Sequence, residues 1–300
     1  MPGSTPEYVL NSALWQRLRC HRGAMIAAGV LLLLALSSLI VPALSPYDYY
    51  TPQLDLISQP PTLRGGHLLG TDPLGRDLLI RVLWGCRISL LIGLAASCIS
   101  IVVGVLWGAI AGYAGGTTDA LMMRMVDVLY SVPFVPFVIV LTVLFGRELW
   151  LMFVAIGAVS WLDIARIVRG EALSLKRREF IEAARVSGVR AARMIRRHIV
   201  PNLLGVVIIY ATLTIPTVIL FEAFMSFLGL GVRVPLASLG SLIADGASDM
   251  QAHPHLLLVP ATVLATIVYC FNFIGDGLRD ALDPHDRHDR HDRHDRHEQA

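Results

Sequence analysis

The chain has 300 residues, 55% of them hydrophobic and 16% charged, where an ordinary soluble domain has about 25% charged. A formal net charge of +2 carries no nucleic-acid signal, and the apolar excess, gathered into long blocks, excludes a soluble globular domain. The four cysteines, Cys20, Cys86, Cys98 and Cys270, form no close pair and have no His/Cys cluster around them, so they read as small apolar side chains.

Six apolar blocks follow in chain order, at 24–41, 88–111, 128–145, 149–168, 203–221 and 256–274. Each matches the roughly 17–25 residues that a helix needs to cross a bilayer. In hydrocarbon only helices and closed barrels satisfy their own backbone, and continuous rather than alternating apolar runs predict helices. The first block follows Arg17, Arg19 and Arg22 as a signal peptide would. At 18 residues it exceeds the roughly 7–15 of a signal-peptide core, and no small-x-small site follows, so it reads as an uncleaved span.

Orientation follows from the basic residues. With the N-terminus inside, nineteen of the 25 Lys and Arg fall on the inner side. The outer six are Arg64, Arg76, Arg81, Arg87, Arg147 and Arg233. Both termini are therefore expected in the cytoplasm. Three connections are long: 42–87 and 229–254 outside, and the basic stretch 169–202 inside. The tail repeats His-Asp-Arg from His285. Its signs alternate, which predicts a solvated disordered extension whose five histidines could bind a transition metal weakly.

Some charges and prolines lie in or beside the spans. Asp163 and Arg166 are three apart, which suggests a structural pair. Glu222 follows 19 uncharged residues and either faces a translocation cavity or caps the short element after it. Pro133, Pro136 and Pro216 are expected to kink or break their helices, as suits helices that rock between two states.

The inner stretch 174–202 reads as a short helix, a break at Ser187-Gly188, and a second helix stopped by Pro201. Phe180, Ile181, Ala184 and Val186 give the first helix an apolar side, and Glu182 can pair with Arg178 or Arg185. Such a helix fits a partner's groove or rests on lipid head groups, and its composition alone leaves both open.

Glu182-Ala183-Ala184, then Gly188, then Ile199-Val200-Pro201-Asn202, resembles the EAA loop of binding-protein-dependent ABC importers. In that family the loop forms a coupling helix seated in a cleft of the ATPase. His198 stands where the general pattern has an apolar residue, and the ending His-Ile-x-Pro-Asn is similar to the dipeptide, oligopeptide and nickel branch. Gly70-Thr71-Asp72, Gly75-Arg76-Asp77 and the runs 226–231 and 275–284 resemble the C-type subunits of that branch, and within it the run 161–170 looks most like those of the oligopeptide permeases.

The resemblance covers nearly all of the chain after residue 20. It implies an all-α type I ABC importer permease fold with six transmembrane helices. The ranges expected are an N-terminus at 1–23, a first helix and outer segment at 24–87, a core at 88–283 containing the coupling loop 170–202, and the tail at 284–300. It further implies a homologous permease, two ATPase subunits, an extracytoplasmic peptide-binding protein and the lipid bilayer as partners, with no nucleic acid. The coupling role falls on Glu182, Ala183, Ala184, Gly188, Pro201 and Asn202, and a path or gating role on Glu222, Pro216 and Pro133.

Lys176, the one lysine, has no glycines at phosphate-loop offsets, so this chain is not expected to hydrolyse ATP. No cofactor or metal is expected in it; ATP and Mg fall to partner subunits. Gly-x-Ser-Gly and Gly-x-Gly-Asp are absent, which argues against an intramembrane protease. No internal repeat supports an ion-coupled secondary transporter. A dipeptide or nickel permease of the same branch is the nearest alternative.

Overall fold

A computed structural model describes residues 21–62, 66–146, 148–232 and 235–282. The sequence features at Arg17, Arg19, Cys20, Arg64, Arg147 and Arg233, and the tail, lie outside the described residues.

The described residues fold as helices. They are α1 (Arg22–Leu44), α2 (Leu78–Ala114), α3 (Gly116–Tyr130), α4 (Phe134–Phe145), α5 (Leu149–Lys176), α6 (Glu179–Val186), α7 (Ala191–Met194), α8 (Val200–Phe227), α9 (Leu239–Ser248) and α10 (His255–Leu282). A 3-10 turn at Leu54–Leu56 interrupts the outer segment, and a π-helical turn at Ile195–Ile199 joins α7 to α8. Five helical stretches are long and apolar enough to cross a membrane, and α3 with α4 makes a sixth if the bent pair is one span.

Several boundaries differ from expectation. The second span starts at Leu78, ten residues before the uncharged block, because Asp77 caps it by accepting from the Ile80 amide at 2.9 Å. Arg81 and Arg87 therefore lie in helix rather than in a loop, and a division at residue 87 would cut α2. The fourth span runs on to Lys176. The third block is not one helix. Pro133 has no amide hydrogen and is itself extended (φ −62, ψ 123), and the chain turns by 80° between α3 and α4. Pro136 lies in the first turn of α4, where a missing amide costs nothing, and α8 runs through Pro216 unbroken.

Pro201 does not stop the second helix of the inner stretch. Helix continues from Ala191 to Phe227, 37 residues. Pro201 sits in the first turn of α8, and the π turn before it changes the bonding partners where its own donor is lacking. The Asn202 side chain donates to the His198 carbonyl at 2.6 Å.

Two apolar cores position the rest. One joins α1, α2, α8, α9 and α10 through Leu31, Cys86, Ile219, Leu239, Ile267 and Cys270. The other lies at the opposite end, among Val105, Ile164, Ala172, Ile181, Met194 and Leu203. Cys86 and Cys270 are buried thiols, and Cys98 is exposed on α2. At the second core α2 and α5 touch backbone to backbone through Gly104, Gly108 and Gly112. A Cβ at Gly104 would meet the Ile164 Cβ at 2.7 Å, and one at Gly112 the Ala172 Cβ at 2.7 Å. Four-residue spacing puts these glycines on one helix face, the means by which helices approach closely in lipid.

Candidate functional site

The expected coupling residues gather on α6 and its two flanks. Ile181 is fully buried among Met194, Ile199, Leu203, Val105 and Val168, so one side chain pins the helix to the bundle. Burial of that size contributes about 2 kcal/mol. Ala184 also packs against this core, whereas Phe180 is 42% and Val186 84% exposed. The four apolar residues thus divide between an inward pair and an outward pair. Glu182, Ala183, Arg185 and Gly188 are exposed beside the outward pair. Glu182 forms no ion pair with Arg178 or Arg185 among the described residues.

The helix ends in a left-handed cap. Gly188 has φ +76, its amide donates to the Arg185 carbonyl at 3.0 Å, and the Val189 amide donates to the Ala184 carbonyl at 3.2 Å. This pair of bonds is a Schellman motif, and the hydrophobic contact that accompanies it is present in the packing of Val189 and Ala184 against the same core. A Cβ at Gly188 would meet nothing within 4 Å, so the backbone angle rather than crowding calls for glycine there.

Residues remote in sequence brace the same end. Arg169 on α5 grips Asp119 on α3 through two bonds, Nε at 2.5 Å and Nη2 at 2.6 Å. Lys176 donates to the last carbonyl of α2, at Ala114, and lies over the Tyr113 ring at 5.7 Å. Arg185 of α6 reaches the same ring at 5.9 Å. Arg166 pairs with Asp127 at 2.9 Å and stacks on Tyr130, so the expected Asp163–Arg166 pair does not form; Asp163 faces outward. Tyr113, Asp119 and Asp127 carried no local sequence signal, because each partner lies dozens of residues away.

Glu222 is fully buried and lines no open surface of this chain. It accepts from Ser89 of α2 at 3.0 Å and from Ser226 of α8 at 2.7 Å. Ser226 meets Ser238 at 3.1 Å, and Ser238 caps α9 by accepting from the Ser241 amide at 3.2 Å. Ser89 also accepts from the Leu239 amide at 3.1 Å. The carboxylate is thus the hub of a polar network that seats the start of α9 against α2 and α8. Pro216 is buried within α8, and Pro133 stands at the α3–α4 bend.

At the far end, Gly70-Thr71-Asp72 and Gly75-Arg76-Asp77 form a compact knot over the start of α2. Asp72 accepts from the Leu74 and Arg76 amides, from Arg76 Nε at 2.7 Å, and from Arg81. Asp77 meets His67 at 2.8 Å, and Thr71 bonds to Leu56 and Gln59. The charged motif residues here are buried and spent on holding the segment together.

The family model described as "Binding-protein-dependent transport system inner membrane component" matches residues 104–288. A second, the "N-terminal TM domain of oligopeptide transport permease C", matches 12–61. The chain is 53% identical over 280 residues to the oligopeptide transport system permease protein OppC of Escherichia coli K12, covering 92% of this chain and 93% of that one. It is 50% identical over 276 residues to OppC of Haemophilus influenzae, covering 91% and 89%. It is 41% identical to the dipeptide transport system permease protein DppC of Bacillus subtilis, covering 93% and 87%. Among solved structures, an inward-facing form of the MetNI methionine ABC transporter matches with a TM-score of 0.56 at 20% identity, over 69% of this chain and 98% of that chain, which is a likeness of fold. The apolar helices and these matches place the chain as a multi-pass protein of the bacterial inner membrane, and it belongs to the binding-protein-dependent transport system inner membrane components, the permease family of ABC importers.

Proposed function

We propose that this chain is one of two homologous membrane permeases of an ATP-driven oligopeptide importer, with both termini in the cytoplasm and α6 seated in an ATPase subunit. The observation that carries the coupling role is α6 itself. Eight residues are fastened by one buried isoleucine, closed by a left-handed glycine, and present Phe180, Glu182, Ala183 and Val186 outward. A helix held this way transmits force: pulling on its outer face moves Ile181 and, with it, the packed ends of α2, α5 and α8. Two ATPase subunits bind ATP and Mg, and an extracytoplasmic binding protein delivers peptide to the far end. Closure of the ATPases draws the coupling helices together and opens the path outward, and hydrolysis resets it. The identities of 53% and 50% to oligopeptide permeases support peptide as the cargo.

Gly188→Val should leave the protein inserted and abundant, since its site is open space outside the spans. It should lose ATPase association, substrate-stimulated hydrolysis and uptake together. Glu182→Lys should do the same more mildly. Co-purification of the ATPase subunits with each variant is the measurement, and undiminished association and transport in both would sink the coupling role. Uptake of labelled dipeptides against longer peptides by the assembled importer separates oligopeptide from dipeptide cargo.

A further inference from the structure

The inner connection holds two kinds of surface. α6 carries Glu179, Glu182 and one arginine, Arg185. The run that follows carries Arg190, Arg193, Arg196 and Arg197, all exposed, and among the described residues none of them stands in an ion pair. Arg193, Arg196 and Arg197, with Ala192 and Pro201, line an open cleft of about 860 Å³.

Pro201, which lines the cleft, also stands at the start of the apolar span. Residues 200–221 contain no charged side chain, and their exposed face begins at Pro201 and descends through Leu204, 49% exposed, and Ile208, 47% exposed. The neighbouring face, with Met194, Ile199, Leu203 and Val207, is buried in the second core. Three arginines outside any ion pair among the described residues therefore precede an aliphatic stripe exposed in this chain, on the same continuous helix, where it leaves the apolar zone.

We propose that this cleft binds the headgroup of an anionic phospholipid, with an acyl chain lying along Leu204 and Ile208. A guanidinium presents paired donors that match phosphate oxygens, and basic pockets at the cytoplasmic ends of spans favour anionic headgroups. An acidic protein surface would answer the arginines but would have to follow the helix to the depth of Ile208. A phospholipid supplies the anion and the apolar chain in one molecule. Assignment to the cytoplasmic leaflet rests on the orientation proposed above; binding itself does not.

The assembled importer, exchanged into mixed micelles of phosphatidylglycerol and phosphatidylcholine, is read by native mass spectrometry. Wild type should retain phosphatidylglycerol in preference to phosphatidylcholine, and equal retention would overturn the proposal without any variant. Arg197→Gln should weaken retention about fivefold, the factor equivalent to ~1 kcal/mol. The combined Arg193→Gln, Arg196→Gln and Arg197→Gln variant should weaken it by more than tenfold, and the corresponding lysine variant by less. Retention equal to wild type in the triple glutamine variant would refute the site. Millimolar inorganic phosphate should not displace the lipid; displacement would assign the cleft to free phosphate instead. Loss of an ATPase subunit or of the second permease from the triple variant, with lipid retention unchanged, would make the arginines a protein interface and overturn the lipid assignment.

Discussion

A carboxyl group within a membrane-spanning helix has to be satisfied by its neighbours, and Glu222 is, by hydroxyls from two helices. Ser89 lies 133 residues away, so no local pattern in the sequence could have named it. Glu222→Gln keeps an acceptor for Ser89 or Ser226 and should leave the complex near wild-type stability. Glu222→Leu leaves those buried hydroxyls without their acceptor, at about 1–3 kcal/mol for each unsatisfied group. We expect several degrees of lowered melting temperature for the solubilised complex; a leucine variant as stable as wild type would show that the network contributes nothing. Gly188 is the contrary case at this scale. Its requirement is a backbone angle fixed by the turn between two short helices, and the flanking sequence announced it.

Among elements, the α2–α5 pair depends most on small residues. Gly108→Leu would drive a side chain into the Arg169 amide, 2.9 Å from the new Cβ, and into Val168. Neither backbone nor β-branched neighbour can move aside cheaply, and overpacking of this kind costs about 1–3 kcal/mol or more. The folded, membrane-inserted yield should fall sharply, measured by detergent extraction and size-exclusion chromatography. Gly29→Leu on α1, where nothing lies within 4 Å, is the matched control and should be tolerated. Equal yields for both would mean that α2 and α5 do not pack as described. The glycines were visible in the sequence as a small-residue-rich block, but their partner was not, since nothing local in the sequence says which of the other apolar spans packs on them.

For the whole molecule, the open question with a direct measurement is orientation. After replacement of the four native cysteines, single cysteines at Thr62 and Ser187 are labelled in intact cells with an impermeant maleimide. The arginine asymmetry predicts reaction at Thr62 and none at Ser187; the reverse would invert the topology and remove α6 from the ATPases. The sequence by itself determined that the chain is built of long apolar helices and that it turns at Pro133 and at Gly188. Uninterrupted apolar runs leave the backbone no option in lipid but helix, and glycine and proline act on their own residues and nearest neighbours. It did not determine the 80° turn between α3 and α4 as an angle, the continuation of helix through Pro201, or the partners of Arg166, Arg169 and Glu222. Tertiary structure decided those, for one physical reason. In a soluble helix the alternation of polar and apolar residues tells which face is inside, but lipid and protein core are equally apolar. A membrane helix therefore hides its inward face until its neighbours are in place.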